Sequence, residues 1–268
     1  MFDKATQKKL FVRMNRVALI TGASVGIGYE LALLFARDKH DLILVARRED
    51  KLKELAEKLI KQYGIQVFTI ASDLSRPSSP SEIYAEVKKQ GIFVEYLINN
   101  AGFGTNGEFH QIDIRKELSL IQVNISSLIE LSHLFLQDMI AQNKGAILNV
   151  ASTAAFQPGP YMANYYASKA YVLHFTEAIA EELKKYNISI SALCPGPTKT
   201  EFFDAAGMQA LKLPLMSAEV VALKGYKALK GNSVISIPGL INKLGVLSVR
   251  FSPRFLVRKI AGLLNKSK

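Results

Sequence analysis

The 268-residue chain lacks the features of a secreted, metal-binding or membrane-spanning protein. Its single cysteine, Cys194, excludes an internal disulfide and a cysteine-based zinc site. Its four histidines show no ligand spacing, so we predict no metal. No apolar run approaches the ~18 residues of a transmembrane helix, and the apolar run after the basic N-terminal residues is too short for a signal peptide. We therefore expect a cytoplasmic protein.

Acidic residues are scarce at the C-terminal end. Residues 1–210 hold 23 Lys/Arg and 22 Asp/Glu, whereas residues 211–268 hold 11 Lys/Arg and only Glu219. The net charge of +11 therefore describes a nearly neutral body with a basic tail. The tail carries no motif of basic and aromatic residues that would read a nucleic acid, so we predict no nucleic-acid partner.

Short apolar runs alternate with helical patterns along most of the chain. The predicted strands are Val17–Ile20, Asp41–Ala46, Gln66–Ala71, Phe93–Ile98, Ala146–Val150, Ile188–Leu193 and Ser233–Ile237. The predicted helices between them are Tyr29–Arg37, Glu49–Tyr63, Pro80–Gln90, about 112–142, 161–186 and Ser217–Lys230. This order predicts an α/β protein with one doubly wound, Rossmann-type parallel sheet of about seven strands and helices on both faces, in a domain spanning residues 1–238.

A glycine loop follows the first strand. Val17–Ile20 leads into Thr21 and Gly22, and glycines return at Gly26 and Gly28 before the first helix. A helix N-terminus offers unpaired N–H groups and a positive dipole end, and glycines let a ligand approach the backbone. The loop is therefore a candidate phosphate site, although its spacing differs from Gly-x-Gly-x-x-Gly and such turns are often purely structural.

One tyrosine–lysine pair could carry acid–base chemistry. Tyr165 and Lys169 lie four residues apart on a predicted helix and share a face. A phenol loses its proton near pH 10, so a role near neutrality needs a shift of roughly 3 units, which a neighbouring ammonium favours. Ser152, at the end of the fifth strand, could hydrogen-bond a substrate carbonyl. Alone, this pair is also common on exposed helices.

Together these motifs resemble the short-chain dehydrogenase/reductase family over about residues 15–238. Thr21–Gly28 (TGASVGIG) is similar to the family's glycine motif, and Asn99–Gly102 (NNAG) to its motif after the fourth strand. The resemblance implies a catalytic tetrad of Asn124, Ser152, Tyr165 and Lys169. It implies cofactor contacts from the tetrad's Tyr165 and Lys169 and from Gly22, Ser24, Gly26, Ile27, Gly28, Asp73, Leu74, Asn100, Ala101, Gly102, Pro195, Gly196, Thr198 and Thr200.

The resemblance also implies the reaction. A hydride would pass between the nicotinamide and a carbonyl or carbinol carbon, while Tyr165 exchanges the proton of the oxygen. Ser152 would polarise that oxygen, Lys169 would hold the ribose and lower the Tyr165 pKa, and Asn124 would anchor a water. Asp73 would face the adenine, with Leu74 beside it.

The second strand ends in arginines. An acidic residue near position 47 would bind a free ribose 2′-hydroxyl, but this chain has Arg47 and Arg48, which suit a 2′-phosphate. We therefore predict NADP(H) and the reductive direction, in the manner of the NADP-preferring ketoreductase-like branch. Val25 stands where many NADP-using relatives carry a basic residue, which weakens the preference. Alternatively, both arginines face solvent or cap a helix start.

Two apolar segments bear on substrate and partners. Residues 201–216 include Phe202, Phe203, Met208, Leu211, Leu213, Leu215 and Met216, which suit a lid over a lipophilic carbonyl substrate or ordinary packing. Residues 239–268 predict a basic amphipathic extension with helices Leu240–Arg250 and Arg254–Lys266. The extension could touch an anionic membrane or an acidic acyl carrier, or pack on the body or a second subunit.

The leading interpretation is thus an NADP(H)-dependent enzyme that interconverts ketones or aldehydes and alcohols. The alternatives are a catalytically idle NADP-binding sensor and a membrane-surface interaction protein. The family resemblance also implies a homodimer or homotetramer in which the helices at about 112–142 and 161–186 pair.

Overall fold

The computed structural model describes Met14, residues 16–206 and residues 215–266. Its strands are β1 (Val17–Thr21), β2 (Leu42–Ala46), β3 (Val67–Ala71), β4 (Val94–Asn99), β5 (Gly145–Val150), β6 (Ile188–Leu193), β7 (Thr198–Lys199), β8 (Met216–Ser217) and β9 (Ile235–Ser236). Its α-helices are α1 (Gly26–Arg37), α2 (Glu49–Tyr63), α3 (Ser79–Lys89), α4 (Ile114–Ile121), α5 (Ser127–Gln142), α6 (Ala163–Glu182), α7 (Phe202–Ala205), α8 (Ala218–Lys230), α9 (Leu240–Phe251) and α10 (Arg254–Asn265).

Seven strands form one parallel sheet in the order β3-β2-β1-β4-β5-β6-β9. The predicted fold class is therefore confirmed. The chain builds outward from β1 to β3 and then returns to place β4 on the other side of β1. This reversal opens a crevice at the carboxyl ends of β1 and β4, where ligands bind in such sheets.

Both faces of the sheet are buried, which explains why its strands are continuously apolar. Along β1, Ala18 and Ile20 pack with α1, α2 and α8 on one face, while Val17 and Leu19 pack with α3 and α5 on the other. The large side chains Phe35 of α1 and Phe135 of α5 fill the centres of the two layers. The crevice at the strand ends is thus held by two independent hydrophobic cores.

Several boundaries differ from the sequence prediction. Helix α1 begins at Gly26, three residues early, so the glycine loop itself forms the helix start. The stretch predicted as one helix at 112–142 is divided by a π-helical turn at Gln122–Ser126, and α6 ends in the 3₁₀ turn Leu183–Lys185. The seventh strand is shortened to Ile235–Ser236, because at the sheet edge it pairs only with the end of β6.

One continuous helical stretch, residues 114–142, is long and apolar enough by composition to cross a membrane. In this fold its second half is a core helix, because Leu131, Phe135 and Met139 of α5 are buried against the sheet. The length of the stretch therefore reflects packing beneath the parallel sheet.

The C-terminal extension forms the two predicted helices. Helix α9 has no buried residue, whereas α10 buries Val257, Ala261, Gly262 and Asn265. Helix α10 packs beside Pro160, and Asn265 hydrogen-bonds the body at three places described below. The extension is thus attached to the body through the inner face of α10 and through Asn242 of α9, which packs on Gly196.

Candidate active site

A cavity of about 610 Å³ occupies the crevice at the carboxyl ends of the strands. Its walls include most of the predicted cofactor residues: Gly22, Ser24, Gly26, Ile27, Arg47, Arg48, Asp73, Leu74, Asn100, Ala101, Gly102, Pro195, Gly196, Thr198 and Thr200. They also include Ser152, Tyr165 and Lys169. Two predicted residues, Gly28 and Asn124, lie behind the walls and shape them from there.

Thr21 joins the loops that follow β1 and β4. Its hydroxyl accepts hydrogen bonds from the backbone N–H groups of Asn100 and Ala101, at 3.0 Å each. In return, the Asn100 side chain donates to the carbonyls of Thr21 at 2.9 Å and Gly22 at 3.2 Å. The glycine loop and the Asn99–Gly102 segment are therefore one hydrogen-bonded unit at the base of the cavity.

Two glycines are needed for the shape of this loop. A Cβ on Gly28 would stand 2.3 Å from the carbonyl oxygen of Gly22. Gly26 has a φ of +60°, and a Cβ there would stand 2.9 Å from a methyl carbon of Thr200. Any side chain at either position would push the α1 N-terminus away from the cavity.

The N-terminus of α1 is open to the cavity. Val25, its N-cap residue, provides no side-chain hydrogen bond, and the first turn carries no acidic residue. Unpaired N–H groups and the positive dipole end therefore face the cavity, which suits a diphosphate. The buried Ser72 hydroxyl, also in the wall, has no hydrogen-bond partner in the described part of the chain. These features fit a dinucleotide.

Ser152, Tyr165 and Lys169 meet in the wall beside this loop. The Ser152 hydroxyl lies near the Tyr165 hydroxyl and lowers its pKa, and the Lys169 ammonium lies 5.8 Å from the centre of the Tyr165 ring. The ammonium donates to the backbone carbonyl of Val150 at 2.8 Å. The Ser152 hydroxyl also accepts from the N–H of Ala154 at 3.1 Å, which fixes its position. The four-residue spacing thus places both side chains on the cavity side of α6.

The pKa values of the pair are shifted by burial. Desolvation raises the pKa of Tyr165 to about 12, although the nearby Ser152 hydroxyl acts in the opposite direction. Desolvation likewise lowers the pKa of Lys169 to about 8. Without a bound nicotinamide the Lys169 ammonium is turned toward Val150, and burial raises the pKa of Tyr165. That Lys169 and a cationic nicotinamide together lower this pKa stays a prediction for the enzyme with its cofactor.

Asn124 lies on the π-helical turn and acts on the backbone of the site. Its side chain donates to the carbonyl of Phe103 at 3.0 Å and accepts from the N–H of Phe103 at 3.1 Å. It also donates to the Ser168 hydroxyl at 3.1 Å. Asn124 therefore holds the segment after Gly102 against α6, next to Lys169.

The two arginines after β2 differ in their surroundings. The Arg48 guanidinium forms an ion pair with Glu201 at 3.1 Å, across the mouth of the cavity. The Arg47 side chain is exposed at the cavity wall and forms no ion pair among the described residues. Arg47 is thus the freer cation, and Glu201 competes with any anion for Arg48.

Asp73 accepts hydrogen bonds that hold the loop after β3. Its carboxylate accepts from the N–H of Ser75 at 3.0 Å, and its carbonyl accepts from the Ser79 hydroxyl at the start of α3. Leu74 is buried beside it in the core. Both residues line the cavity at the end of β3, where the sequence placed them.

The segment after β6 covers the other end of the cavity. Thr198 begins the short strand β7, which pairs with β8, a two-stranded sheet that the sequence did not predict. The ring of Phe202 lies 5.1 Å from that of Tyr165, centre to centre. Phe202 and Phe203 both line the cavity, as expected of a lid. The predicted lid residues Met208, Leu211 and Leu213 lie outside the described residues.

Sequence reasoning missed one wall of the cavity. Asn265, at the end of α10, accepts from the Tyr166 hydroxyl at 3.1 Å and donates to the carbonyl of Pro160 at 3.1 Å. Its own carbonyl accepts from the Asn106 side chain at 2.8 Å. Asn265 follows Leu263 and Leu264 in a basic tail, so no local pattern indicates that it returns to the site 99 residues after Tyr166.

Comparison with known proteins identifies the family. The short chain dehydrogenase family profile matches residues 16–210. The chain belongs to the short-chain dehydrogenase/reductase family. It is 28% identical to the very-long-chain 3-oxoacyl-CoA reductase of Rattus norvegicus, across 95% of this chain and 81% of the relative. It is 30% identical to a 7beta-hydroxysteroid dehydrogenase of Mediterraneibacter gnavus, across 68% of each chain.

The fold of this short-chain dehydrogenase is also found among solved structures. A short-chain dehydrogenase from Sphingobium yanoikuyae in complex with NADPH is 31% identical, with a TM-score of 0.81 over 88% of this chain and 93% of the other. Similar structures hold NADPH in some cases and NAD in others. The protein is therefore an oxidoreductase of a family that acts on ketones and alcohols with a nicotinamide cofactor.

Proposed function

We propose that this oxidoreductase uses NADP(H) to reduce a lipophilic ketone or aldehyde, with Tyr165 as the proton donor. The observation that carries the proposal is the meeting of Ser152, Tyr165 and Lys169 in the wall of the cavity that also holds the glycine loop. When bound, the nicotinamide supplies the hydride. The remaining chemistry belongs to the side chains of this wall.

Tyr165 is suited to give a proton at neutral pH. With a pKa of about 12 it carries its proton there, which is the state that carbonyl reduction requires. Ser152, fixed by the N–H of Ala154, can donate its hydroxyl hydrogen to the same substrate oxygen. Lys169, cationic below its pKa of about 8, favours the phenolate that remains after the transfer.

The preference for NADP(H) rests on Arg47 and Arg48. Both lie at the cavity wall where β2 ends, and no carboxylate follows that strand directly. A charge-assisted hydrogen bond is worth roughly 1.5–3 kcal/mol, so one contact with a 2′-phosphate gives about ten- to hundredfold preference. Glu201 reduces this preference by occupying Arg48, while Arg47 stays available.

A lipophilic substrate is supported by the rings over Tyr165. Phe202 and Phe203 line the cavity with Met162 and Phe103, and the Phe202 ring packs near the Tyr165 ring, so part of the wall at Tyr165 is apolar. Such walls bind apolar groups and exclude water during the transfer. The two named relatives act on a 3-oxoacyl thioester and a hydroxysteroid, which are both lipophilic.

The mechanism is tested with Tyr165→Phe. Loss of the proton donor should lower kcat about 10²–10⁴-fold, measured as NADPH absorbance with a panel of ketones, 3-ketoacyl thioesters and aldehydes. Tyr171→Phe, on the exposed side of α6, is the matched control and should keep full activity. Undiminished turnover by Tyr165→Phe would refute the role of Tyr165. NADPH binding without turnover of any substrate by the wild type would favour an idle sensor.

Cofactor choice is tested with Arg47→Ala. NADPH affinity, read from nicotinamide fluorescence, should fall about ten- to hundredfold while NADH affinity stays unchanged. Arg37→Ala removes an exposed arginine at the other end of α1 and serves as the control. Equal binding of NADPH and NADH by the wild type would contradict the proposed preference.

A further inference from the structure

The α9–α10 hairpin, residues 240–265, exposes apolar side chains on its outer side. On α9, Leu240, Leu244, Leu247 and Phe251 follow one another at steps of three or four residues and form one stripe. All four are exposed, Phe251 to 83%, and the neighbouring Ile241 to 77%. A helix lying on a protein normally turns such a stripe inward.

Helix α10 has the same inverted arrangement. Its buried positions are Val257, Ala261, Gly262 and Asn265. Asn265 hydrogen-bonds Tyr166 and Pro160 of the body, and Gly262 packs beside Pro160. Leu256 and Leu263 lie on the opposite side and are exposed, Leu263 to 71%. Ile260 and Leu264 lie between the two sides and are also exposed. Large apolar side chains of α10 are therefore left in contact with solvent.

A cavity of about 310 Å³ shows that the two helices share an inner side. It is lined by Ile241, Asn242, Val246 and Val249 of α9, by Val257 and Ile260 of α10, and by body residues near Thr153. The stripe of α9 lies on the opposite side of that helix from Asn242, Val246 and Val249. The stripe of α9 thus belongs to the outer side of the hairpin, together with Leu256 and Leu263 of α10.

The charge of the hairpin is of one sign. Residues 239–266 contain no Asp or Glu and six cations, namely Lys243, Arg250, Arg254, Arg258, Lys259 and Lys266. All six are exposed. On α9, Lys243 and Arg250 flank the apolar stripe along one edge, and on α10 Lys259 and Lys266 lie beside Leu263. Apolar residues flanked by lysines and arginines are typical of helices that lie in a membrane interface.

We propose that the outer side of the α9–α10 hairpin docks on a lipid bilayer that contains anionic phospholipid. The apolar stripes would enter the acyl–headgroup boundary, and the flanking cations would contact lipid phosphates. A second copy of the chain fits this surface poorly, because pairing would bring six cations against six. An acidic protein would satisfy the charges but would need a groove for two long stripes of large apolar residues.

Docking there places the bilayer close to the reaction site. The inner cavity of the hairpin shares Thr153 and Gln157 with the catalytic cavity. Helix α10 therefore has the bilayer on its outer side and, through Asn265, the catalytic cavity at its end.

The proposal is tested by sedimenting the full-length protein with vesicles, without cofactor or substrate. We expect binding to phosphatidylcholine vesicles that contain phosphatidylglycerol, weaker binding to phosphatidylcholine alone, and release as salt screens the charges. The double variant Phe251→Ser with Leu263→Ser should lose about tenfold or more of this binding. Phe109→Ser, an exposed phenylalanine far along the chain from the hairpin, should lose none.

The charges are tested separately with Lys259→Glu plus Lys266→Glu, which should weaken binding to the anionic vesicles about tenfold or more. Lys224→Glu on α8 is the control. Equal and negligible binding to all vesicles would overturn the proposal. So would self-association, measured by light scattering, that disappears in the Phe251→Ser, Leu263→Ser variant without vesicle binding. The vesicle experiments contain no substrate and do not measure enzyme activity. A negative result in them would therefore refute membrane docking without bearing on the proposed reductase activity, which is assayed with a water-soluble ketone.

Discussion

Replacing Lys169 by methionine should make the folded protein more stable at neutral pH. The Lys169 side chain is 5% exposed, and burial lowers its pKa from 10.5 to about 8. At neutral pH the lysine is cationic in both folded and unfolded chains, so folding must desolvate the charge. This lowering of the pKa corresponds to a loss of about 3 kcal/mol in the free energy of unfolding.

Methionine has a similar length and removes the buried charge, but it also removes the hydrogen bond from Lys169 to the Val150 carbonyl. That charge-assisted hydrogen bond is worth roughly 1.5–3 kcal/mol. The net expected gain is therefore at most about 1.5 kcal/mol in the free energy of unfolding at neutral pH.

The gain should depend on pH in a defined direction. Because the pKa is depressed in the folded state, the cost is complete below pH 8 and falls as the pH rises towards 10.5, where the unfolded chain also loses the proton. Above that pH the variant should be no more stable than the wild type. Urea unfolding, followed by circular dichroism of both proteins at each pH, measures the difference.

Lys224→Met, on an exposed position of α8, controls for the loss of a lysine and should show no such pH-dependent gain. The reasoning is refuted if Lys169→Met is less stable than the wild type at neutral pH. It is also refuted if the difference between the two proteins is the same at neutral pH and above pH 10.5.

Three further outcomes are expected. Glu201→Gln should tighten NADPH binding up to about fivefold and leave NADH binding unchanged. The reason is that Glu201 competes for Arg48 through an exposed ion pair, which is worth at most about 1 kcal/mol. Unchanged NADPH affinity would contradict this. Asn265→Ala should lower the free energy of unfolding by about 1 kcal/mol, since it removes the hydrogen bond from the half-buried Tyr166 hydroxyl, and urea unfolding checks it. If α4 contributes to a dimer interface, as the family resemblance predicts, Leu118→Asp should lower the mass measured by light scattering.

The sequence by itself determined which segments form the strands of the sheet, because the apolar pattern of a strand is local. The run Val17–Ile20 is apolar at every position, and a strand of that kind must be covered on both faces. The spacing of Tyr165 and Lys169 likewise follows from the period of one helix. Glycines at Gly26 and Gly28 marked the loop, and the structure supplies the reason, since a Cβ at either position meets Thr200 or Gly22.

The pKa values needed the tertiary structure. From the sequence, an ammonium four residues away should lower the pKa of Tyr165. In the chain without its cofactor, the surrounding elements desolvate the Tyr165 hydroxyl and the Lys169 ammonium is turned toward Val150, so the pKa of Tyr165 rises to about 12. Desolvation of a side chain depends on how many other elements of the fold surround it. The spacing of Tyr165 and Lys169 along one helix does not contain that information.

Only the tertiary structure decided which distant segments meet at the site and what the tail contributes. Arg48 forms an ion pair with Glu201, and Asn265 of the tail hydrogen-bonds Tyr166 and Pro160. The sequence of α10 showed an apolar stripe but not which side faces the body. In the structure the small side chains Ala261 and Gly262 face inward, because they allow close packing on Pro160, and the leucines are left outside.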